Sequence, residues 1–198
     1  VKVQLWDTYR LPGDNREMWE YLSMTKEQFL HLKEYSESLN LDFFASAFHR
    51  DRFQWIQEAD LKINKIASLL VDVNYDFCEE MVDSGMKTYC SLGKWNKPYF
   101  PFKKDNVEYM HCVSKYPHAF HEATAELPER FIYPMTGYSD HSIGIDACKF
   151  AIRKGAKIIE KHFTISHKLQ SKTESAHACS MDMKELSELR NFCERQNI

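Results

Sequence analysis

The sequence predicts an α/β protein built on a parallel sheet, on three observations. Seven short apolar segments, each of strand length, recur along the chain. Amphipathic helical patterns separate most of them. Polar residues gather at the carboxyl ends of the strand segments, where parallel α/β folds build their sites. An open doubly wound sheet and a closed (β/α)8 barrel share this pattern. No G-x-G-x-x-G or G-x-x-x-x-G-K-[ST] follows any strand segment, which counts against a nucleotide-binding open sheet and leaves the barrel ahead.

The strand segments are 1–6, 42–48, 61–67, 87–92, 108–114, 131–138 and 157–164. After the first, Thr25-Lys26-Glu27-Gln28 reads as a capping box, and Phe29, Leu32 and Leu39 line one side of the helix it opens. Residues 72–84 read as a helix closed by Gly85 at C′. Between Leu92 and Glu108 there is no helical period, only a Pro- and aromatic-rich connection, so one outer helix is replaced by a loop. Residues 142–154 carry Ile143, Ala147, Phe150 and Ala151 at i, i+4, i+7 and i+8, with Gly155 as the stop. A last helix starts near Met181-Asp182 with Leu186, Leu189 and Cys193 on one stripe.

Bulk properties narrow the function. At 198 residues, a single domain over 1–198 is expected. A net charge of −3 gives no reason to expect nucleic acid or an anionic membrane as partner. No apolar run approaches the roughly 20 residues of a spanning helix, and the opening 1–6 has no signal-peptide layout. The cysteines, at 78, 90, 112, 148, 179 and 193, form no C-x-x-C pair and read as reduced core thiols of a cytoplasmic protein.

Candidate chemistry centres on Gly137-Tyr138-Ser139-Asp140-His141 and Ile159-Glu160-Lys161-His162-Phe163-Thr164. In a strand–helix–strand unit, His141 lies just past one strand and His162 near the end of the next. Adjacent parallel strands are about 4.8 Å apart, so two imidazoles so placed could share one divalent ion. Glu160 and His162 stand two apart on a strand and face one side. Two nitrogens and a carboxylate suit Mn²⁺, Zn²⁺ or a similar ion; unrelated capping or surface histidines are the competing reading. Other strand ends carry Lys2, Ser46, Lys65 with Ser68, Ser91, and Ser114 with Tyr116. Such cations and hydroxyls suit a small phosphorylated carboxylate, against the reading as solvated or turn-forming groups. His31, His118 and His121 read as structural.

Together these segments resemble the N-acetylneuraminate (sialic acid) synthase family over nearly the whole chain. Val1-Lys2-Val3-Gln4 is similar to the family's "VKFQ" strand, Phe43 to Phe48 to "FFSTPF", and Lys65-Ile66-Ala67-Ser68 to "KIAS". Ser91-Leu92-Gly93 is similar to "STG" and His111 to Pro117 to "HCTSxYP"; the segments ending in His141 and holding His162 are the most specific. The resemblance implies an incomplete (β/α)8 TIM-type barrel of about seven strands. It implies a transferase that condenses phosphoenolpyruvate with an N-acyl-hexosamine aldehyde such as N-acetylmannosamine, giving a sialic-acid-type nonulosonic acid and phosphate. It further implies a divalent metal on His141 and His162, Mn²⁺ foremost, with Mg²⁺, Co²⁺ or Zn²⁺ as alternatives. Glu160 and His162 are the implied catalytic residues. Lys2, Ser46, Lys65, Ser68, Ser91, Ser114 and Ser139 are implied to hold phosphoenolpyruvate, and Tyr116 and Glu160 the sugar.

Departures accompany the matches. The family's acidic first strand and C-terminal antifreeze-like domain have no counterpart. "KIASGE" continues here with Leu70 in place of its carboxylate, and "GPDH" reads Glu174-Ser175-Ala176-His177. Ser46 stands where threonine is usual. The chain is expected either to be one piece of a larger synthase, acting as a homodimer or with the missing segments, or to be an impaired relative that binds metal and a phosphorylated ligand. A class II metal aldolase is a third reading, disfavoured by the lysine and serine ring. Unpaired edges of an incomplete barrel predict marginal stability and association.

Overall fold

The computed structural model describes residues 1–6, 20, 22–169 and 178–196. Its chain divides into two compact units, residues 1–90 with 97–107, and residues 91–96 with 108–198. The Glu174-Ser175-Ala176-His177 segment lies outside the described residues.

In the first unit, strands β1 (Lys2–Leu5), β2 (Phe44–Ala47), β3 (Ile63–Ile66) and β4 (Lys87–Ser91) follow one another in parallel, in chain order. Helices α1 (Lys26–Ser38), α2 (Arg50–Glu58), α3 (Ser68–Val73) and α4 (Tyr75–Asp83) connect them. The Thr25 capping box is present: Gln28 N–H donates to Thr25 Oγ1 at 3.2 Å, and Thr25 N–H to Gln28 Oε1 at 2.9 Å. Leu5, Phe29, Ala45, Phe53, Ile56, Ile66 and Phe77 form the buried apolar interior of this unit. Leu39 does not join it. The helix ends at Ser38, and Leu39 is 51% exposed while Phe29 and Ser36 are the buried positions of α1.

The helix expected over 72–84 is two helices, α3 and α4, broken at Asn74, whose φ of −150° leaves the helical region. Gly85 follows the second with φ of 79° and donates its N–H to Val82 O, the left-handed C′ position that the sequence suggests. As expected, no helix lies between β4 and the next strand. Within the first unit, part of that connection takes a helix's packing role. Phe102 stacks on Tyr75 of α4 at 5.2 Å, and Tyr75 Oη donates to Pro101 O at 2.7 Å.

The second unit carries β5 (Val107–Cys112, from Glu108 on), β6 (Met135–Asp140) and β7 (Ile158–Lys161), again parallel and in order. Its helices are α5 (Phe120–Ala125), α6 (Asp146–Arg153) and α7 (Met183–Arg195). Tyr138 packs with Ala123, Ala147 and Ala151 in one buried cluster, and Ile145, Cys148, Ile152, Met181 and Leu189 form another. Three expectations need correction. The strand placed at 131–138 starts only at Met135, because Pro134 has no N–H for the ladder and Met135 N–H turns back to Ile132 O. The helix placed at 142–154 starts at Asp146, since Ser142 is tied to Asp140, and Ile143 is 64% exposed. Leu186 on α7 is 42% exposed, and Leu189 carries the burial.

Candidate metal and substrate site

Strand order and register bring His141 and His162 together. Ser139 pairs with Glu160 and Asp140 with Lys161 across β6 and β7, and each histidine follows directly on its strand. The ring centroids are 5.7 Å apart, with planes at 36°. With metal–nitrogen bonds of about 2.1 Å, two imidazoles on one ion have centroids about 4.5–6.4 Å apart, and the observed spacing falls in that range.

His141 has the electronic form a metal needs. Its Nδ1–H donates to Val113 O at 2.9 Å, so Nε2 carries the lone pair. Cys112 Sγ lies 3.7 Å from the same nitrogen. Burial lowers the His141 pKa, against smaller opposing effects from Val113 and Glu160, so the ring is neutral at neutral pH. The backbone is also held, since His118 N–H donates to His141 O at 3.2 Å.

Tyr116 lies against this pair, tilted by 35° to His141 with centroids 3.9 Å apart and edge-on to His162 at 6.0 Å. Burial of its phenol, with Cys112, Cys179 and Glu160 nearby, pushes its pKa up, so it stays a hydroxyl donor. Glu160 accepts from Ser139 Oγ at 2.6 Å. Ser139, expected to hold a phosphorylated ligand, thus turns its proton to a neighbouring carboxylate. Ser91 is 2% exposed at the end of β4. Ser114 approaches Gly93 so closely that a Cβ there would lie 2.3 Å from Ser114 Oγ, which explains a glycine at that position.

In the first unit, register and alternation put Lys2, Ser46 and Lys65 on one face of their sheet. Ser46 is 1% and Lys65 3% exposed, and Lys65 Nζ donates to Ile66 O at 3.1 Å. Ser68 opens α3 immediately beyond β3. Leu70, where the resembled motif has a carboxylate, is buried in α3.

Behind the histidines lies a buried network that sequence reasoning missed. Asp140 and Lys161 have fully buried side chains and pair at 2.6 Å. Asp140 also accepts from Tyr138 Oη, Ser142 N–H, Ser142 Oγ and Cys148 Sγ. Burial alone would raise the Asp140 pKa; Lys161 and the Ser142 hydrogen bonds outweigh it and hold the carboxyl below its ordinary range. The alternation Ser-Asp-His beside Glu-Lys-His was the available signal: the middle residue of each must face the opposite side. His118, read as structural, is 3% exposed and gives its Nδ1–H to Lys115 O at 2.9 Å.

Among the described residues, the one group of three side chains with ligand atoms within 4.8 Å of one another is His167, Asp182 and Glu185. Asp182 and Glu185 there form the reciprocal cap of α7. The His141–His162 pair could offer two ligands to an ion, leaving its other positions to small molecules.

A model of the NeuB family matches residues 7–197. The N-acetylneuraminate-9-phosphate synthase of Drosophila melanogaster is 29% identical over 182 residues, 86% of this chain and 48% of the relative. The N,N'-diacetyllegionaminic acid synthase of Legionella pneumophila is 28% identical over 87% of this chain and 52% of its own length. The chain therefore spans about half the length of these relatives. Among solved structures, an N-acetylneuraminic acid (sialic acid) synthetase from Leptospira borgpetersenii serovar Hardjo-bovis, in complex with citrate, gives a TM-score of 0.83 at 30% identity. That likeness covers 98% of this chain and 71% of that one. A DAHP synthase from Thermotoga maritima, at 12% identity and TM-score 0.65, covers 100% of this chain and 62% of that one and speaks for the fold alone. The fold is α/β of the TIM-barrel type, with seven strands among the described residues.

Proposed function

The chain belongs to the NeuB family, and from that premise we propose that it condenses phosphoenolpyruvate with the open-chain aldehyde of an N-acyl-hexosamine, N-acetylmannosamine or a close analogue. The observation that carries this reading is the His141–His162 pair at 5.7 Å, with His141 Nδ1–H fixed on Val113. The products are a nonulosonic acid and phosphate. A carbon–carbon bond forms between the methylene carbon of phosphoenolpyruvate and the aldehyde carbon, whose oxygen takes up a proton. Water adds at the phosphate-bearing carbon and loses a proton, and cleavage of that carbon's bond to the phosphate oxygen releases phosphate and leaves the 2-keto acid.

His141 and His162 would hold a divalent ion, Mn²⁺ foremost, which supplies Lewis-acid polarisation of an aldehyde oxygen when bound. Tyr116 covers the histidines and offers a neutral hydroxyl to the sugar. Glu160, oriented by Ser139, accepts from a sugar hydroxyl. Lys2, Ser46, Lys65, Ser68, Ser91 and Ser114 are the groups we assign to phosphoenolpyruvate, each oxygen of which needs a charge-assisted donor. Positioning two small reactants supplies much of the acceleration. The free cysteines, five of them buried, agree with a reducing compartment, which we take to be the cytoplasm. No helix among the described residues is long and apolar enough to cross a membrane.

Leu70 favours a second reading, a binder of metal and phosphorylated ligand with impaired turnover, because an apolar side chain cannot replace a carboxylate in proton transfer. One assay separates the two. The purified chain is mixed with Mn²⁺, phosphoenolpyruvate and N-acetylmannosamine, and phosphate and 2-keto acid are measured. Sugar-dependent phosphate release that falls about 100-fold or more in His141→Ala is expected, given the several kcal/mol a Lewis acid contributes. Binding of both ligands without turnover supports the second reading. Release that ignores the sugar, or that survives His141→Ala, overturns the first.

A further inference from the structure

We propose that the buried Asp140–Lys161 pair is a positioning device that sets the register of β6 against β7 and so aims His141 and His162 at one ion. The inference rests on the metal reading above. Its starting point is that these two residues are register partners, with side chains fully buried and 2.6 Å apart. Their neighbours Ser139 and Glu160 are also register partners and are joined at 2.6 Å. Consecutive side chains of a strand face opposite sides. Two successive rungs are therefore pinned by side chains, Ser139–Glu160 on the face of the histidines and Asp140–Lys161 on the other.

A slip of one residue would invert this arrangement. Because the side-chain period is 2, it would carry Glu160 and His162 away from Ser139 and His141. It would also bring Lys161, a cation, to the face meant for a metal, and leave Asp140 buried without its partner. A buried charge stripped of its partner is far more costly than the paired state. The pair thus disfavours the wrong register more than it stabilises the right one.

The same two side chains also clamp the backbone beside His141. Asp140 holds Ser142 through its N–H at 2.9 Å and its Oγ at 3.0 Å, and Lys161 Nζ donates to Ser142 O at 2.7 Å. Tyr138 Oη at 2.8 Å and Cys148 Sγ at 3.2 Å complete the donors around the carboxylate. The residue before His141 and the residue after it are fixed by one ion pair, which bridges to the residue directly before His162.

The test compares metal affinity with stability in Asp140→Asn/Lys161→Met. This double variant removes both charges while keeping side-chain size, and neutral replacement of a buried pair commonly preserves stability. Mn²⁺ binding is read by electron paramagnetic resonance and unfolding by thermal melting. Melting within about 5 °C of the parent chain is expected, with Mn²⁺ bound at least about 10-fold more weakly, as for other groups that orient metal ligands. Unchanged affinity in the folded double variant overturns the inference while leaving the metal reading intact. A parent chain that binds no divalent ion removes the metal reading and this inference with it. Should the double variant not fold, Ser142→Ala decides, since it deletes one hydrogen bond of the clamp. Several-fold weaker Mn²⁺ binding there supports the positioning role, and unchanged binding overturns it.

Discussion

Asn64 sits on β3 between Ile63 and Lys65 and is 0% exposed, yet neither Nδ2 nor Oδ1 has a hydrogen-bond partner among the described residues. Strand alternation turns Lys65 to one face of the sheet and Asn64 to the other, where Ala45 and Thr88 are its register neighbours. A buried amide without partners loses its hydration and gains nothing in return, at about 1–3 kcal/mol. Valine fits a strand and brings no polar atom. Asn64→Val is expected to stabilise the chain by about 1–3 kcal/mol, read as a higher urea midpoint at unchanged slope. A lower midpoint would mean the amide is satisfied in solution, for instance by a buried water. Asn64 is not among the groups assigned to the ion, so Mn²⁺ affinity should not change.

Helix α5 has six residues, too few to hold itself, so its cap matters to the segment before it, which carries Tyr116. Glu122 accepts from Ala119 N–H at 2.8 Å and pairs with Lys115. The Ala119 N–H first, and Lys115 second, pull the Glu122 pKa from an ordinary 4.5 down to about 2. A folded-state pKa below the unfolded one stabilises the fold at pH above the unfolded value, and that stabilisation fades as pH falls from 4.5 towards 2. Glu122→Gln should therefore melt below the parent chain at pH 7, with the gap narrowing between pH 4.5 and 2. Salt should shrink it too, because the group is exposed. Melting curves of both chains at pH 7, 4 and 3 check this, and a gap independent of pH would assign the effect to packing. Elements governed by local groups were the legible ones. Thr25 and Gln28 announce α1 because cap and partner lie three residues apart. The start of α6 was misplaced because Asp140, held by Lys161 from the next strand, captures Ser142, and helical periodicity carries no trace of that.

Across the whole molecule, the candidate metal centre draws on residues far apart in sequence. Val113, His141 and His162 meet only when β5, β6 and β7 have paired. The two histidines were legible because each stands beside a strand end in a recognisable segment. The groups that hold them were not, since Val113 contributes only a carbonyl and Asp140 and Lys161 face away. Placement of Lys2, Ser46 and Lys65 on one face required the register of β1, β2 and β3, as the turn of Ser139 towards Glu160 required that of β6 and β7. A site assembled by folding binds its ion in the native state and hardly at all in the unfolded chain, so the ion must stabilise the fold. At a free Mn²⁺ concentration 100 times its dissociation constant, the gain is about 2.7 kcal/mol. The melting temperature should climb with the logarithm of Mn²⁺ concentration in the parent chain. His141→Ala and His162→Ala should each lose that dependence, while Mg²⁺, a poorer partner for imidazole, should reproduce it only at higher concentration. If either alanine variant keeps the Mn²⁺-dependent rise, the ion binds elsewhere, and the His167, Asp182 and Glu185 group becomes the site to mutate next.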